Sequence, residues 1–460
     1  MIARPAVLIS IALSLATPLL RAQDPAPPAS GIQKGVPSVP RSLTVDEAVQ
    51  LALKNNHVVR LAALKVQEKH HEKDIARSAY YPLLKNESTV LHITELENIV
   101  VPPGAFGVVA GTEIPAHSVA IGQGALNLET SGTSLTQPLT QLLKVREKNN
   151  IAGAELSATR ADARQAKNEV ALRTRQLYYG VLLDQSRRAA IQAGIQASEA
   201  LEKERIQQVK FGSALTEETI ESRAQTLQSK QDLITVDLQL TDLTMQLNDL
   251  MGLPLNTELS LDPAVRDRAA SCALEECKQL AVASHPEVEK AQQDVEKASA
   301  AVRFAKRDFI PDTEVFARQS YQNGVPFLQH NFGTFGFVLS YDIFDGGRKR
   351  AALAEHNTQL AEARENLARV KDEIEVRVET AYNKLERTRQ MVGVSEQLLA
   401  LRAESHRVSS QQLQQGSALG SQVAAAAAHE LAAKSSLLQA RLDYVQAQDE
   451  LTVAIGRTPE

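Results

Sequence analysis

The chain has 460 residues, with 50 Lys and Arg against 55 Asp and Glu, and a formal charge of −5 whose two signs are dispersed. A mildly acidic surface with no basic stripe excludes nucleic acid as a partner. Four methionines give no thioether track for soft metals, and the length is ample for two or three cores.

The first 22 residues carry an early Arg4, an apolar run from Ala6 to Leu20 and a small residue at Ala22. This pattern predicts a secretory signal peptide cut after Ala22. Losing Arg4 and Arg21 takes the formal charge to −7, and no cysteine follows the cut that could hold an amino-terminal lipid. Beyond it no apolar run of ~18 residues remains, so a membrane could be crossed only by strands.

Residues 23–42 are rich in Pro, Ala and Ser and predict a flexible leader. Order begins at Leu43. Thr44 and Glu47 form a capping box for a first helix, which pauses at Asn55-Asn56, resumes to about Ser78 and is stopped by Pro82. Between Leu83 and Pro138 the residues turn small, polar and β-branched. Glu87–Glu95 and Ser118–Thr136 predict a long β-hairpin. A helical tract without proline follows from about Leu139 to Gln208. At ~1.5 Å per residue it makes a rod of roughly 100 Å.

The tetrapeptide Gly-Ser-Ala-Leu then appears at Gly212–Leu215 and again at Gly416–Leu419, 204 residues later. The same offset carries Leu135 onto Leu339, Tyr178 onto Tyr382 and Gly252 onto Gly456, and an offset of 229 carries Pro82 onto Pro311. The chain therefore reads as a duplication: a first repeat at 43–258, a linker at 259–271 and a second repeat at 272–460. About 25 extra residues fall in the first repeat's β-hairpin. In the second repeat the strands are expected at Asp312–Tyr321 and Gly333–Asp342, the latter with Phe335, Phe337, Leu339 and Tyr341 on one face. The second long tract runs from about Asp345 to Gln415. Returning helices carry heptad seams, Leu233, Val236, Leu240, Leu243, Leu247 and Leu250 in one copy and Leu437, Ala440, Tyr444, Ala447, Leu451 and Ala454 in the other. The expected unit is mainly α with a small β part, namely two long antiparallel coiled-coil hairpins and two β-hairpins. Four strands cannot close a barrel, so several chains must contribute to one.

Leu43–Leu53, Asn56-His57, Ala76–Pro82, Leu280-Ala281, His285-Pro286-Glu287 and Ala301–Pro311 occur in this order. So do Leu339 to Arg348 at the strand-to-helix bend and the closing Leu250-Met251-Gly252 and Ala454-Ile455-Gly456. In this order and repeated twice, these segments resemble the TolC-like outer-membrane efflux protein family, over nearly all of the chain after residue 22. The resemblance implies a homotrimer with a 12-strand β-barrel in outer-membrane lipid and a periplasmic α-helical barrel. It also implies passive conduction to the exterior, with a periplasmic adaptor protein and an inner-membrane transporter as partners. By position, Gly212, Ser213, Ala214, Leu215, Gly416, Ser417, Ala418 and Leu419 would form the adaptor-docking tip. The family's best-known member carries acidic residues six and nine positions after the second tip glycine. Here those positions are Gln422 and Ala425, and Glu218 and Glu221 stand in the first copy instead. The expected periplasmic gate is therefore Leu419, Gln422 and Val423 rather than an acidic ring.

Other chemistry reads as structural. His70-His71 diverge by ~100° on a helix and are read as lacking a third ligand, and His406 and His429 could face each other near the second tip. Asp345-Gly346-Gly347-Arg348 lacks the spacing of a phosphate loop, and no nucleophile elbow or zinc motif occurs. No enzyme activity, metal or cofactor is expected. Ala424–Ala428 suits either close helix packing or sliding. Cys272 and Cys277 could bridge only through a non-helical turn, and two unbridged thiols are the alternative. The reading from another functional class is a soluble periplasmic adaptor or coiled-coil structural protein.

Overall fold

The computed structural model describes residues 42–122, 124–213, 215–264, 272–325 and 328–459. The signal peptide, almost all of the leader and Ala214 lie outside the described residues. In chain order the elements are β1 (Ser42–Leu43), α1 (Val45–Asn55), α2 (His57–Ser78), β2 (Leu83–His92), β3 (Asn98–Val101), β4 (Val108–Val109), β5 (Thr112–Glu113), β6 (Val119–Gly122) and β7 (Asn127–Pro138). They continue with α3 (Gln141–Lys210), α4 (Thr216–Met251), β8 (Ser260–Leu261), α5 (Leu274–Ser284), α6 (Pro286–Arg307), β9 (Asp312–Asn323), β10 (Asn331–Ser340), α7 (Arg348–Gln414) and α8 (Gly420–Ala454).

The internal duplication appears as matched lengths. Helices α1 and α5 have 11 residues each, α2 and α6 have 22, α3 and α7 have 70 and 67, and α4 and α8 have 36 and 35. The capping box forms as expected: Thr44 N–H donates to Glu47 Oε2 (3.1 Å) and Glu47 N–H to Thr44 Oγ1 (3.3 Å). Asn56 and His285, at equivalent positions, cap α2 and α6 by accepting the N–H groups of Val58 and Glu287.

Helix α3 packs on α2, α4, α6 and α8, and α7 packs on α6 and α8. Helix α2 abuts α4 end to end. Asn56, the cap of α2, donates from Nδ2 to the Leu250 carbonyl (3.4 Å); just before it, Asn55 at the end of α1 donates to the Met251 carbonyl (2.9 Å), and a side chain on Gly252 would collide with Asn55. Helix α6 abuts α8 in the same way: Gly456 lies against the backbone of its cap His285, and Ser284 at the end of α5 donates from Oγ to the Ile455 carbonyl (3.2 Å). The result is one helical layer with the order α2 with α4, α3, α6 with α8, then α7. The four-stranded antiparallel sheet has the matching order β2-β7-β9-β10, because each strand leads directly into, or out of, the helix beneath it.

Two apolar clusters sit where the helices abut. One joins Ala48, Ala52, Leu177, Val181, Leu247 and Met251. The other joins Cys277, Val288, Ile374, Val378, Leu385 and Leu451. Of the heptad seams, Leu247, Ala447, Leu451 and Ala454 join these clusters and Leu240, Leu243, Leu250 and Tyr444 pack against them, because each helix shows one apolar stripe to its neighbour. Within the first cluster, β1 pairs in parallel with β8 and contributes Leu43 and Leu261. The buried Tyr178 hydroxyl lies 2.7 Å from the Leu43 carbonyl and 2.9 Å from that of Asp262. Burial raises its pKa to about 12.

Several expectations change. The strand expected at Ser118–Thr136 is two strands, β6 and β7. Ala125 N–H turns aside to the Gly324 carbonyl, which breaks the ribbon, and the extra residues build the small hairpins β3–β6 and β4–β5. The strand expected at Glu87–Glu95 starts earlier, at Leu83, directly after the Pro82 stop. Cys272 and Cys277 are bridged, with Cα atoms 5.6 Å apart. Cys272 precedes α5, so the non-helical turn required for bridging is present. Asp74 does supply a third group one turn from His70-His71, and ligand atoms of the three lie within 4.8 Å of one another. All three are exposed, and His70–Asp74 is a surface i,i+4 pair at 3.0 Å. His406 faces Glu430 at 2.7 Å rather than His429.

Candidate functional site

The sheet has two chemically distinct faces. Pairing places Leu84, Leu135, Ala317 and Phe335 in one row, with Val315, Phe337 and Leu339 beside them on the same face. Leu84 is 68% exposed, Phe337 75% and Phe335 89%. An apolar face this open on a stable molecule marks a surface meant for lipid or another chain. Polar residues on the same face pair with one another: Asn86 Nδ2 donates to Thr133 Oγ1 (2.8 Å), and Ser88 and Ser131 share a hydrogen bond (2.9 Å). The opposite face carries Lys85, Glu87, Asp312, Glu314 and Arg318, by the same alternation. Outer strands β2 and β10 each have one neighbour, leaving a row of backbone N–H and C=O groups unpaired at both edges.

The sheet is tied to the helices by polar groups at their junction. Thr140 Oγ1 donates to the Pro311 carbonyl (2.9 Å) and accepts from Thr313 N–H (2.7 Å). Lys144 reaches Asp308 and Asp312, each at 3.0 Å. Glu147, 2% exposed, accepts from Arg303 and Arg307, both at 2.8 Å. Burial works against its charge, but hydrogen bonds from Arg303 and Asn150 and the two guanidinium charges outweigh it and hold the carboxyl below its usual range.

At the far end, the two hairpin turns have the same geometry. Gly212 and Gly416 adopt φ of 70° and 72°. Ser213 N–H and Oγ both donate to the Gln208 carbonyl, and Ser417 does the same to Gln412. This is a Schellman closure, in which the left-handed residue must be glycine-like and the following N–H satisfies an orphan carbonyl. Leu215 and Leu419 begin the returning helices in extended conformation. The turns differ in what surrounds them. Arg205 clasps Glu218 across the first hairpin at 2.8 Å; the equivalent residues of the second are Ser409 and Gln422, which cannot form an ion pair. Gln422 Oε1 instead accepts from Leu419 N–H (3.3 Å), so this gate candidate serves its own helix start. Leu419 is exposed and Val423 half-buried, while Ala418 is half-buried within the turn. Phe211, 83% exposed beside Leu215, is an apolar tip residue that the repeat comparison passes over because its equivalent is Gln415. Behind the tips, Gly194, Ala197, Ala425 and Ala428 line a cleft of about 390 Å³ between the hairpins.

Residues 278–457 match the family described as outer membrane efflux protein. No protein of curated function matches the chain by sequence. Among solved structures, the likeness of fold extends over 90% or more of the chain. CusC, a protein whose structures concern folding and transmembrane channel formation, is similar at a TM-score of 0.69 and 16% identity, over 93% of this chain and 96% of its own. The outer membrane protein VceC of Vibrio cholerae is similar at 0.71 and 14%, over 90% and 97%. The MtrE outer membrane channel of Neisseria gonorrhoeae, in its open state, is similar at 0.70 and 14%, over 90% and 89%. These likenesses establish the fold, including the first repeat that the family match does not reach. Among the described residues no helix is long and apolar enough to cross a membrane.

Proposed function

We propose that this chain is the outer-membrane exit duct of a tripartite efflux or type I secretion system. It acts as a homotrimer that conducts substrate passively from a periplasmic adaptor and an inner-membrane transporter to the exterior. The observation that carries this is the sheet: about ten residues per strand, one open apolar face, one charged face, and two unpaired edges. In lipid every edge group must be paired, at several kcal/mol each if it is not, so β10 of one copy pairs with β2 of the next and three copies close twelve strands. A strand of ~10 residues suits a transmembrane barrel, with the apolar face outward and the charged face lining the lumen. The helical layer then closes into a tube in the periplasm, with both Gly-Ser-Ala-Leu turns at its open end. Exposed Phe211, Leu215 and Leu419 offer the adaptor an apolar rim, and Leu419, Gln422 and Val423 line the narrowest part.

Cell fractionation tests this reading. The protein is expected in the outer-membrane fraction, released only by detergent, and trimeric by native mass spectrometry. Recovery as a soluble periplasmic protein would instead favour an adaptor or a coiled-coil structural protein.

A further inference from the structure

Strand register places Lys85, Ser134, Arg318 and Thr334 opposite one another in a single row across all four strands. All four lie on the charged face. The next row contains Glu87, Gly132 and Ser320. Gly132 has an ordinary extended backbone, and its missing side chain leaves the space that the Arg318 guanidinium occupies. A Cβ at Gly132 would lie 2.7 Å from Arg318 Nη2 and 2.8 Å from Nε. The guanidinium therefore lies flat across the β7 backbone in the place a side chain would take, held against the wall of the sheet.

The neighbouring charges decide what that guanidinium does. Lys85 and Glu87, on one strand, approach to 3.4 Å and offset each other. Lys144 takes Asp312 from the helix side. Glu314 shares a face with Arg318 but sits four residues along β9, about 13 Å away at the usual strand rise, beyond the Debye length of about 10 Å at 0.1 M salt. Among the described residues Arg318 makes no ion pair.

We propose that Arg318, cradled by Gly132, forms a cationic collar in the lumen that recruits anions and the carboxylate or phosphate groups of passing solutes, and so sets the charge selectivity of the pore. The proposal rests on the exit-duct reading, in which each copy contributes one uncompensated positive charge at this level and the ring carries three. A fixed charge in a low-dielectric wall focuses the local potential and enriches counter-ions there.

The test is the reversal potential of the purified full-length protein in planar bilayers across a KCl gradient, with salt near 0.1 M. Arg318→Gln is expected to raise the potassium-over-chloride permeability ratio about two-fold or more. Arg318→Lys keeps the wild-type ratio, and Glu87→Gln moves it the other way. All differences shrink at 1 M KCl, where screening reaches about 3 Å. A conducting wild type whose reversal potential is unchanged by both Arg318→Gln and Glu87→Gln overturns the collar and leaves the duct standing. A wild type that never conducts removes the duct, and the collar with it.

Discussion

His285 and Asn56 occupy equivalent positions and cap equivalent helices, yet only one of them titrates. The His285 ring is 1% exposed, and its Nδ1 accepts the Glu287 N–H (3.2 Å), so the ring must be neutral to cap. Burial pushes its pKa below the ordinary 6.5; the nearby Glu287 opposes this and Arg377, reaching across from α7, adds to it. A histidine depressed in the folded state contributes stability that is complete above pH 6.5 and is lost as pH falls from there through the folded value. At pH 5.5 this loss is at most ~1.4 kcal/mol. Melting followed by circular dichroism at pH 7.5 and 5.5 should therefore show a smaller acid-induced drop for His285→Asn, which keeps the cap, than for the wild type. An equal drop in both would remove His285 from the acid response. The tyrosines related by the repeat provide a second contrast. Tyr178 is 2% exposed and hydrogen-bonds the buried Leu43 carbonyl, with the Asp262 carbonyl also in reach, whereas Tyr382 is half-buried at the margin of its cluster. Tyr178→Phe should cost about 1–3 kcal/mol and Tyr382→Phe within about 0.5 kcal/mol, compared by denaturant titration.

At the scale of elements, what could be read from the chain depended on whether the signal was local. The capping box, the pause at Asn55-Asn56 and the Pro82 stop are local chemistry, and the helices follow them. The heptad leucines name the buried stripe because a helix repeats its faces regardless of its partner. Strand boundaries in the first β-hairpin were not legible, since the break at Ala125 comes from a hydrogen bond to Gly324, which lies in the other repeat. The tip residues were visible as a repeated tetrapeptide; Phe211 was not, because it differs between the copies. Nor could spacing reveal that Gln422 hydrogen-bonds its own helix start. The turns themselves make a firm prediction. Nothing lies within 4 Å of a Cβ placed on Gly212 or Gly416, so replacement by valine meets no clash and costs only the left-handed backbone, roughly 1–2 kcal/mol each. Gly212→Val/Gly416→Val should therefore leave trimers in the membrane, scored by native mass, while abolishing export in cells. Intact export in that variant would separate the turns from docking.

For the whole molecule, the repeat offset anticipated the matched helix lengths of the two halves, and the open four-stranded sheet agrees with the four strands expected from the sequence. The hydrogen-bonding order of those strands was hidden, because β7 pairs with β9 across the repeats and no local signal specifies it. Matching strand order to helix order gives each copy a single continuous wall, with an apolar and a charged side above and coiled-coil seams below. The end-to-end contacts in that wall have a mechanical meaning. Of the four columns across it, only α3 and α7 cross the waist as unbroken backbone. The other two are butt joints, secured by Asn55 on Met251 and by Ser284 on Ile455. A push or twist applied at the turns thus reaches the sheet through two covalent rods per copy, while the joints between them give way first. The junction works as a compliant coupling, and the sheet is insulated from much of what happens at the turns.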